Sequence, residues 1–287
     1  MSTDTNTTGF AHSTNADYRT WVSELSGMLT TVGFIKSADT GQVDTATATI
    51  PGTGSYNYEI RYLDDSLHAT KPLYVKIEYG TQSSGRPQIR MSAASGTNGS
   101  GTLTGTTYFS AQVLCTNAAP GVATYYSGAV ALEGFAAFIW KRGLLGTNST
   151  FFAVARMCDA AGDPTTAGFN FWYSASGGSL TRTSYLTSAL SEGVGAGALF
   201  PGRESATLVG GSPQVLKHFA FTPEIQCVPY MMSFLDGEIG DLSTFTATPV
   251  GATQRTYLAF GGSYGPQHAA LGNASSYVTA RLAIQWE

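Results

Sequence analysis

Between Ser55 and Ala93 apolar and polar positions alternate in three runs. In the first, Tyr56, Tyr58, Ile60 and Tyr62 share one parity and Asn57, Glu59 and Arg61 the other. In the second, Leu73, Val75, Ile77 and Tyr79 oppose Lys76 and Glu78. In the third, Ile89, Met91 and Ala93 oppose Gln88, Arg90 and Ser92. Period-two alternation predicts three consecutive strands of an antiparallel sheet, apolar parity inward and polar parity to water. Asp64-Asp65-Ser66 and the segment 80–87 supply the turns between them.

Upstream the period changes. Trp21, Val22, Leu25, Met28, Leu29 and Val32 recur at helical spacing, which predicts one helix over about 16–32. Thr14 or Asn15 can cap it, Asp17 suits its first turn, and Gly33 is a plausible stop. The face carrying Trp21, Val22, Leu25, Met28 and Leu29 has two readings: core packing against a sheet, or an interface with a neighbouring subunit.

The chain thus reads as four stretches. Residues 1–13, rich in Thr, Ser and Asn, are expected as a flexible arm that orders against a partner. Residues 14–95 hold the helix and the antiparallel sheet, with weaker strands at Phe34–Ala38 and Gln42–Ile50. Residues 96–105 form a glycine-rich loop or linker and the best candidate boundary. Residues 106–287 are β-patterned again, as the same or a second β-sandwich domain. Candidate strands there are Tyr108–Leu114, Gly128–Trp140, Phe151–Met157, Phe169–Ser174, Gln214–Phe221, Val228–Leu235, Thr256–Gly261 and Ser276–Trp286. Many short strands punctuated by glycine and proline give the fold class: mainly β, antiparallel and sandwich-like, with one N-terminal amphipathic helix.

Composition narrows the function classes. Charged residues are 12 % of the chain, about half the usual share, while glycine numbers 34 and aromatics reach 12 %. Such a chain can bury a core, and its low charge suits a surface covered by copies of itself or by partners. A net charge of −4 gives no basic footprint for nucleic acid. Cys115, Cys158 and Cys227 cannot all pair and are read as free buried thiols. The polar first residues carry no signal-peptide pattern, and no apolar run reaches membrane-span length, so neither export nor membrane insertion is expected.

Candidate chemistry is sparse. Gly261-Gly-Ser-Tyr-Gly265 matches the nucleophile-elbow pattern, but Pro266 follows and no α/β alternation supports it. His12, His68, His218 and His268 have no zinc-ligand spacing. Asp236, Glu238 and Asp241 form the densest acidic cluster without an EF-hand pattern. No pair of carboxylates is selected for glycoside hydrolysis. The reading is therefore no catalytic residue, no metal and no cofactor. Tyr56, Tyr58, Tyr62, Tyr125, Tyr126, Trp172 and Tyr173 could stack sugars, with Trp172 and Tyr173 the candidate glycan-binding pair.

Five segments carry a resemblance. They are the Ala16-Asp-Tyr-Arg-Thr-Trp21 helix start, Ser37-Ala-Asp-Thr-Gly-Gln42, Tyr58-Glu-Ile-Arg-Tyr62, Pro72-Leu-Tyr-Val-Lys-Ile-Glu-Tyr-Gly80 and Gly96-Thr-Asn-Gly-Ser-Gly-Thr-Leu-Thr-Gly105. With Arg156-Met-Cys-Asp-Ala-Ala-Gly-Asp-Pro164 they resemble a family of virion structural proteins of tailed bacteriophages. The resemblance implies a particle component made in the bacterial cytoplasm and residing in the virion. It implies partners among copies of itself and other virion proteins, and no active site. A host-surface glycan-recognition module and a capsid decoration protein are the alternatives.

Overall fold

The computed structural model describes residues 2–10, 13–81, 87–113, 123–142, 149–159, 163–175, 179–186, 191–194, 215–216, 219–220, 226–227, 231–235, 243–247, 254–260 and 280–286. The mainly β, antiparallel reading holds, with a single helix among these residues. Two compact units divide the chain, the first comprising residues 1–153 and 173–177 and the second 154–172 and 178–287.

The first unit is built around α1 (Asn15–Thr31) and a five-stranded sheet. Thr14 caps α1 in a capping box: its hydroxyl accepts from the Asp17 amide at 3.2 Å, and the Asp17 carboxylate accepts from the Thr14 amide at 2.9 Å. The sheet runs β2 (Phe34–Lys36), β3 (Tyr56–Leu63), β4 (Tyr74–Thr81), β5 (Pro87–Thr97) and β6 (Leu103–Val113) in that order, all antiparallel. The expected strand at Gln42–Ile50 is instead irregular, with a turn at 45–47 held by Asp44, whose carboxylate accepts from the Ala46 amide and the Thr47 hydroxyl. An Asx turn competes well with the weak alternation of Thr45-Ala-Thr-Ala-Thr49.

Register decides which face of this sheet is buried. Glu59 pairs with Ile77 and Arg61 with Val75, while Ile77 in turn pairs with Met91. The polar parity of β3 therefore shares a face with the apolar parity of β4 and β5, and α1 packs on that face. Arg61 and Glu59 are 1 % and 0 % exposed, whereas Tyr56, Tyr58 and Tyr62 are half-buried on the other side. This corrects the expectation that Glu59 and Arg61 face water. Alternation marks the two faces of a strand, but its neighbours' register determines which one is covered.

Two other expectations change. Residues 96–105 are no linker, because β5 and β6 form a hairpin paired through Thr97 and Leu103. Its turn is fastened by Asn98, whose amide donates to the Thr102 carbonyl and whose side chain accepts from the Ser100 and Thr102 amides. Nor is Ser2–Phe10 a loose arm. It is β1, antiparallel to β7 (Ala123–Leu132) over nine register pairs. Gly134, at φ +72°, then turns the chain into β8 (Phe135–Arg142), splitting the single strand expected over Gly128–Trp140. The strand order is β1-β7-β8, followed by β9 (Ser149–Cys158).

The second unit, described by itself, holds the strand order β9, β10 (Pro164–Ala175), β11 (Ser179–Leu186), β12 (Ser191–Val194). Two short strands, β14 (Phe219–Ala220) and β15 (Gln226–Cys227), attach to β9, where Cys227 stands opposite Cys158. A second sheet orders β13 (Val215–Leu216), β16 (Met231–Leu235), β19 (Ala280–Gln285), β18 (Arg255–Phe260) and β17 (Thr244–Ala247). Tyr257, Leu258, Ala259 and Ile284 are buried in it.

Candidate functional site

Between α1 and the first sheet lies a buried polar cluster. The Glu59 carboxylate accepts from Tyr79 Oη at 2.5 Å, from Ser26 Oγ at 2.9 Å and from Arg61 Nη2 at 2.9 Å. Arg61 also donates to the Ser26 carbonyl, the Phe34 carbonyl and the Thr30 hydroxyl. Burial, and then the Glu59 charge, hold the Tyr79 hydroxyl well above the usual tyrosine range. Burial pushes Tyr18 up to about 12, opposed by the Asn57 hydrogen bond. Both phenols are donors here, Tyr18 to the Tyr79 carbonyl at 3.2 Å. Apart from Arg61 Nε, which has no hydrogen-bond partner among the described residues, these groups bond to one another and to the backbone, so the cluster ties helix to sheet.

The opposite face of the sheet is more open. Tyr56 lies across Gly80, where any Cβ would overlap its ring, and its hydroxyl donates to Gln88 Oε1. The Arg90 guanidinium sits 4.0 Å from the Tyr56 ring centre, and Lys76 Nζ 4.6 Å from that of Tyr58. Lys76 also pairs with Glu78 at 3.5 Å. At the far end His68 stacks on Tyr62 at 4.4 Å, beside Tyr74. The tyrosines at 56, 58 and 62 offered for sugar stacking thus have cationic or imidazole neighbours on their rings.

Beside Tyr58 the segments 37–42 and 97–101 meet. Asp39 accepts from Ser37 Oγ at 2.7 Å, Thr97 Oγ1 at 2.8 Å and the Gly101 amide at 3.0 Å. The Thr40 amide donates to the Gly99 carbonyl, and the Tyr58 hydroxyl donates to the Thr40 carbonyl. Gln42 donates to the Ser37 and Asp39 carbonyls and accepts from the Ile60 amide. The loop 37–42 and the β5–β6 turn form one junction. Gly101 is required there: it holds φ +91°, and a Cβ would overlap the Tyr58 hydroxyl. Gly101→Ala is expected to cost roughly 2–3 kcal/mol in urea unfolding, from backbone strain and the displaced Tyr58 bond. Gly99→Ala has open space at φ +77° and should lose only the strain, about 1–2 kcal/mol.

Burial pushes the Asp39 carboxyl up, but the bonds from Ser37, Gly101, Thr97 and its own amide outweigh it and hold it below the usual aspartate range. A carboxylate depressed in the folded state binds fewer protons there than when unfolded. Its stabilisation is present above the unfolded value, near pH 4, and is lost as pH falls through the folded one. Asp39→Asn should therefore show a shallower loss of stability below pH 4 than the parent chain. Equal slopes would remove Asp39 from that role.

The sequence-predicted site residues fall as follows. Trp21, Val22, Leu25, Met28 and Leu29 are 0–4 % exposed on the inner face of α1. An interface with a neighbour built on these five would have to pull them out of their own unit. Trp172 and Tyr173 lie in β10, but their side chains fall outside the described residues, as do Gly261–Gly265 and the acidic cluster 236–241. Among the described residues no three His, Cys, Asp or Glu side chains group as metal ligands, and no helix is long and apolar enough to cross a membrane. Sequence reading overlooked the Glu59–Arg61 cluster and the Asp39 junction. For the junction, the paired Asp-Thr-Gly and Asn-Gly-Ser-Gly turns were the available signal. No protein-family model matches the chain, and no curated protein or solved structure is significantly similar to it.

Proposed function

We propose that this chain is a structural component of a tailed-phage virion, associated with tail, baseplate or fibre, and that it acts by subunit assembly without catalysis. The observation that carries the reading is where the few charges go. Charged residues make up only 12 % of the chain, and the first unit spends Glu59, Arg61 and Asp39 inside its own fold. So low a share of charge suits a surface buried against neighbouring subunits more than one freely solvated. The junction of 37–42 with 97–101 supports the same reading, since two segments resembling the virion family form one structural unit there. The Trp21 face is consumed internally, so assembly would rest on sheet edges and loops.

Labelling purified particles of the encoding phage with an antibody to this chain, with copy number by mass spectrometry, tests the proposal. Label on the tail in a small symmetric number supports it. Label over the head in high copy would reassign the chain to capsid decoration. Absence from every particle would overturn the structural reading.

A further inference from the structure

Two of the three cysteines stand opposite each other. Cys158 ends β9 and Cys227 ends β15, and the register pairs these two residues directly. Spacing along the chain offers no reason to join any two of Cys115, Cys158 and Cys227. Both paired residues belong to the second unit, and Cys115 lies outside the described residues. Opposed residues of an antiparallel pair share one face of the sheet, with Cα atoms about 4.5 or 5.5 Å apart according to the hydrogen-bonding position. A disulfide needs a Cα separation of about 4.4–6.8 Å. Either kind of position falls within that window without a shift of the backbone.

The surroundings show what a bond would add. β14 and β15 have two residues each and pair with each other at Phe219–Cys227 and Ala220–Gln226. Among the described residues β15 meets β9 at the single position of the cysteines. So short a ladder holds a hairpin only weakly against a sheet. β9 is well fixed by contrast. Val154, Ala155 and Arg156 are buried. Beyond Cys158 the Asp159 amide donates to the Asp163 carbonyl and the Asp159 carboxylate accepts from the Asp163 amide, both at 3.0 Å. One half of the pair is anchored, and the other depends on its partner.

We infer that Cys158 and Cys227 form a disulfide under oxidising conditions, stapling the β14–β15 hairpin to β9 and leaving Cys115 as the free thiol. The step needs a small disulfide oxidant such as oxidised glutathione. The thiolate of one cysteine attacks it, forming a mixed disulfide and releasing one glutathione thiolate; the thiolate of the second cysteine then displaces the other. The pair gives up two protons and two electrons, and the oxidant takes them up as two molecules of reduced glutathione. The bond closes a loop of about 70 residues and so restricts the unfolded chain strongly. The inference rests on strand register and not on the virion reading, so either can fail while the other stands.

The full chain is oxidised while folded with oxidised glutathione, then unfolded in N-ethylmaleimide and digested. Mass spectrometry should find a peptide linking Cys158 to Cys227 and none linking Cys115. The thermal midpoint of the oxidised chain should exceed that of the chain kept in dithiothreitol by roughly 5–10 °C. Cys115→Ser should keep both results. Cys158→Ser and Cys227→Ser should each lose the link and the difference in midpoint, with circular dichroism showing that they fold. The parent chain is also compared with itself in two redox states, so the test does not depend on the variants folding. The staple is overturned if both cysteines are recovered labelled or carrying glutathione, or if the link uses Cys115 or joins two chains. A linked chain with an unchanged midpoint would overturn it equally.

Discussion

Arg61→Ala is expected to be the most damaging single change in the first unit, lowering its stability by about 3–5 kcal/mol. The side chain is 1 % exposed and neutralises a carboxylate that is 0 % exposed. Removing it strands the Glu59 charge in a buried site and frees the Phe34 carbonyl. Arg61→Met separates the two contributions, because it keeps much of the apolar stem and loses the charge. If the pair is what matters, methionine should cost within about 1 kcal/mol of alanine. Urea unfolding followed by tryptophan fluorescence reads both. A methionine variant as stable as the parent would show that the pair contributes nothing net, as some buried pairs do.

Trp21→Ala should follow closely, at about 3–5 kcal/mol. Its ring stands edge-on to Tyr18 and Tyr79, at 5.5 and 5.4 Å between centres, and is 4 % exposed. The value of this variant lies in separating two roles that the sequence left open. A docking residue on a free surface would leave the isolated chain stable and abolish its incorporation into a larger assembly. A core residue lowers the stability of the isolated chain itself. We expect the second outcome, with Val22→Ala, at 0 % exposure, showing a smaller loss in the same direction.

Together these expectations relocate the search for contacts with other subunits. The apolar face of α1 and the buried cluster beneath it hold one unit together. On the proposed assembly role, contacts would fall instead on the tyrosine and cation face of the first sheet and on the Asp39 junction beside it. Their chemistry is hydroxyls and few charges, consistent with extended contacts between like subunits.

What the sequence by itself determined is local. Helical spacing from Trp21 to Val32 and the Thr14–Asp17 box placed α1 to within a residue or two, since caps and period are properties of neighbouring residues. Alternation placed β3, β4 and β5 for the same reason. The tertiary structure decided everything that depends on pairing. Whether Glu59 and Arg61 face water or a helix follows from the register of β3 on β4, which joins positions of one parity without regard to their polarity. A polar stretch such as Ser2–Phe10 carries no alternation of its own and becomes a strand because β7 offers it a ladder. A glycine-rich stretch such as 96–105 looks the same in sequence as a linker or a hairpin. Asp39, 62 residues away from Gly101, supplies the bond that makes it the latter.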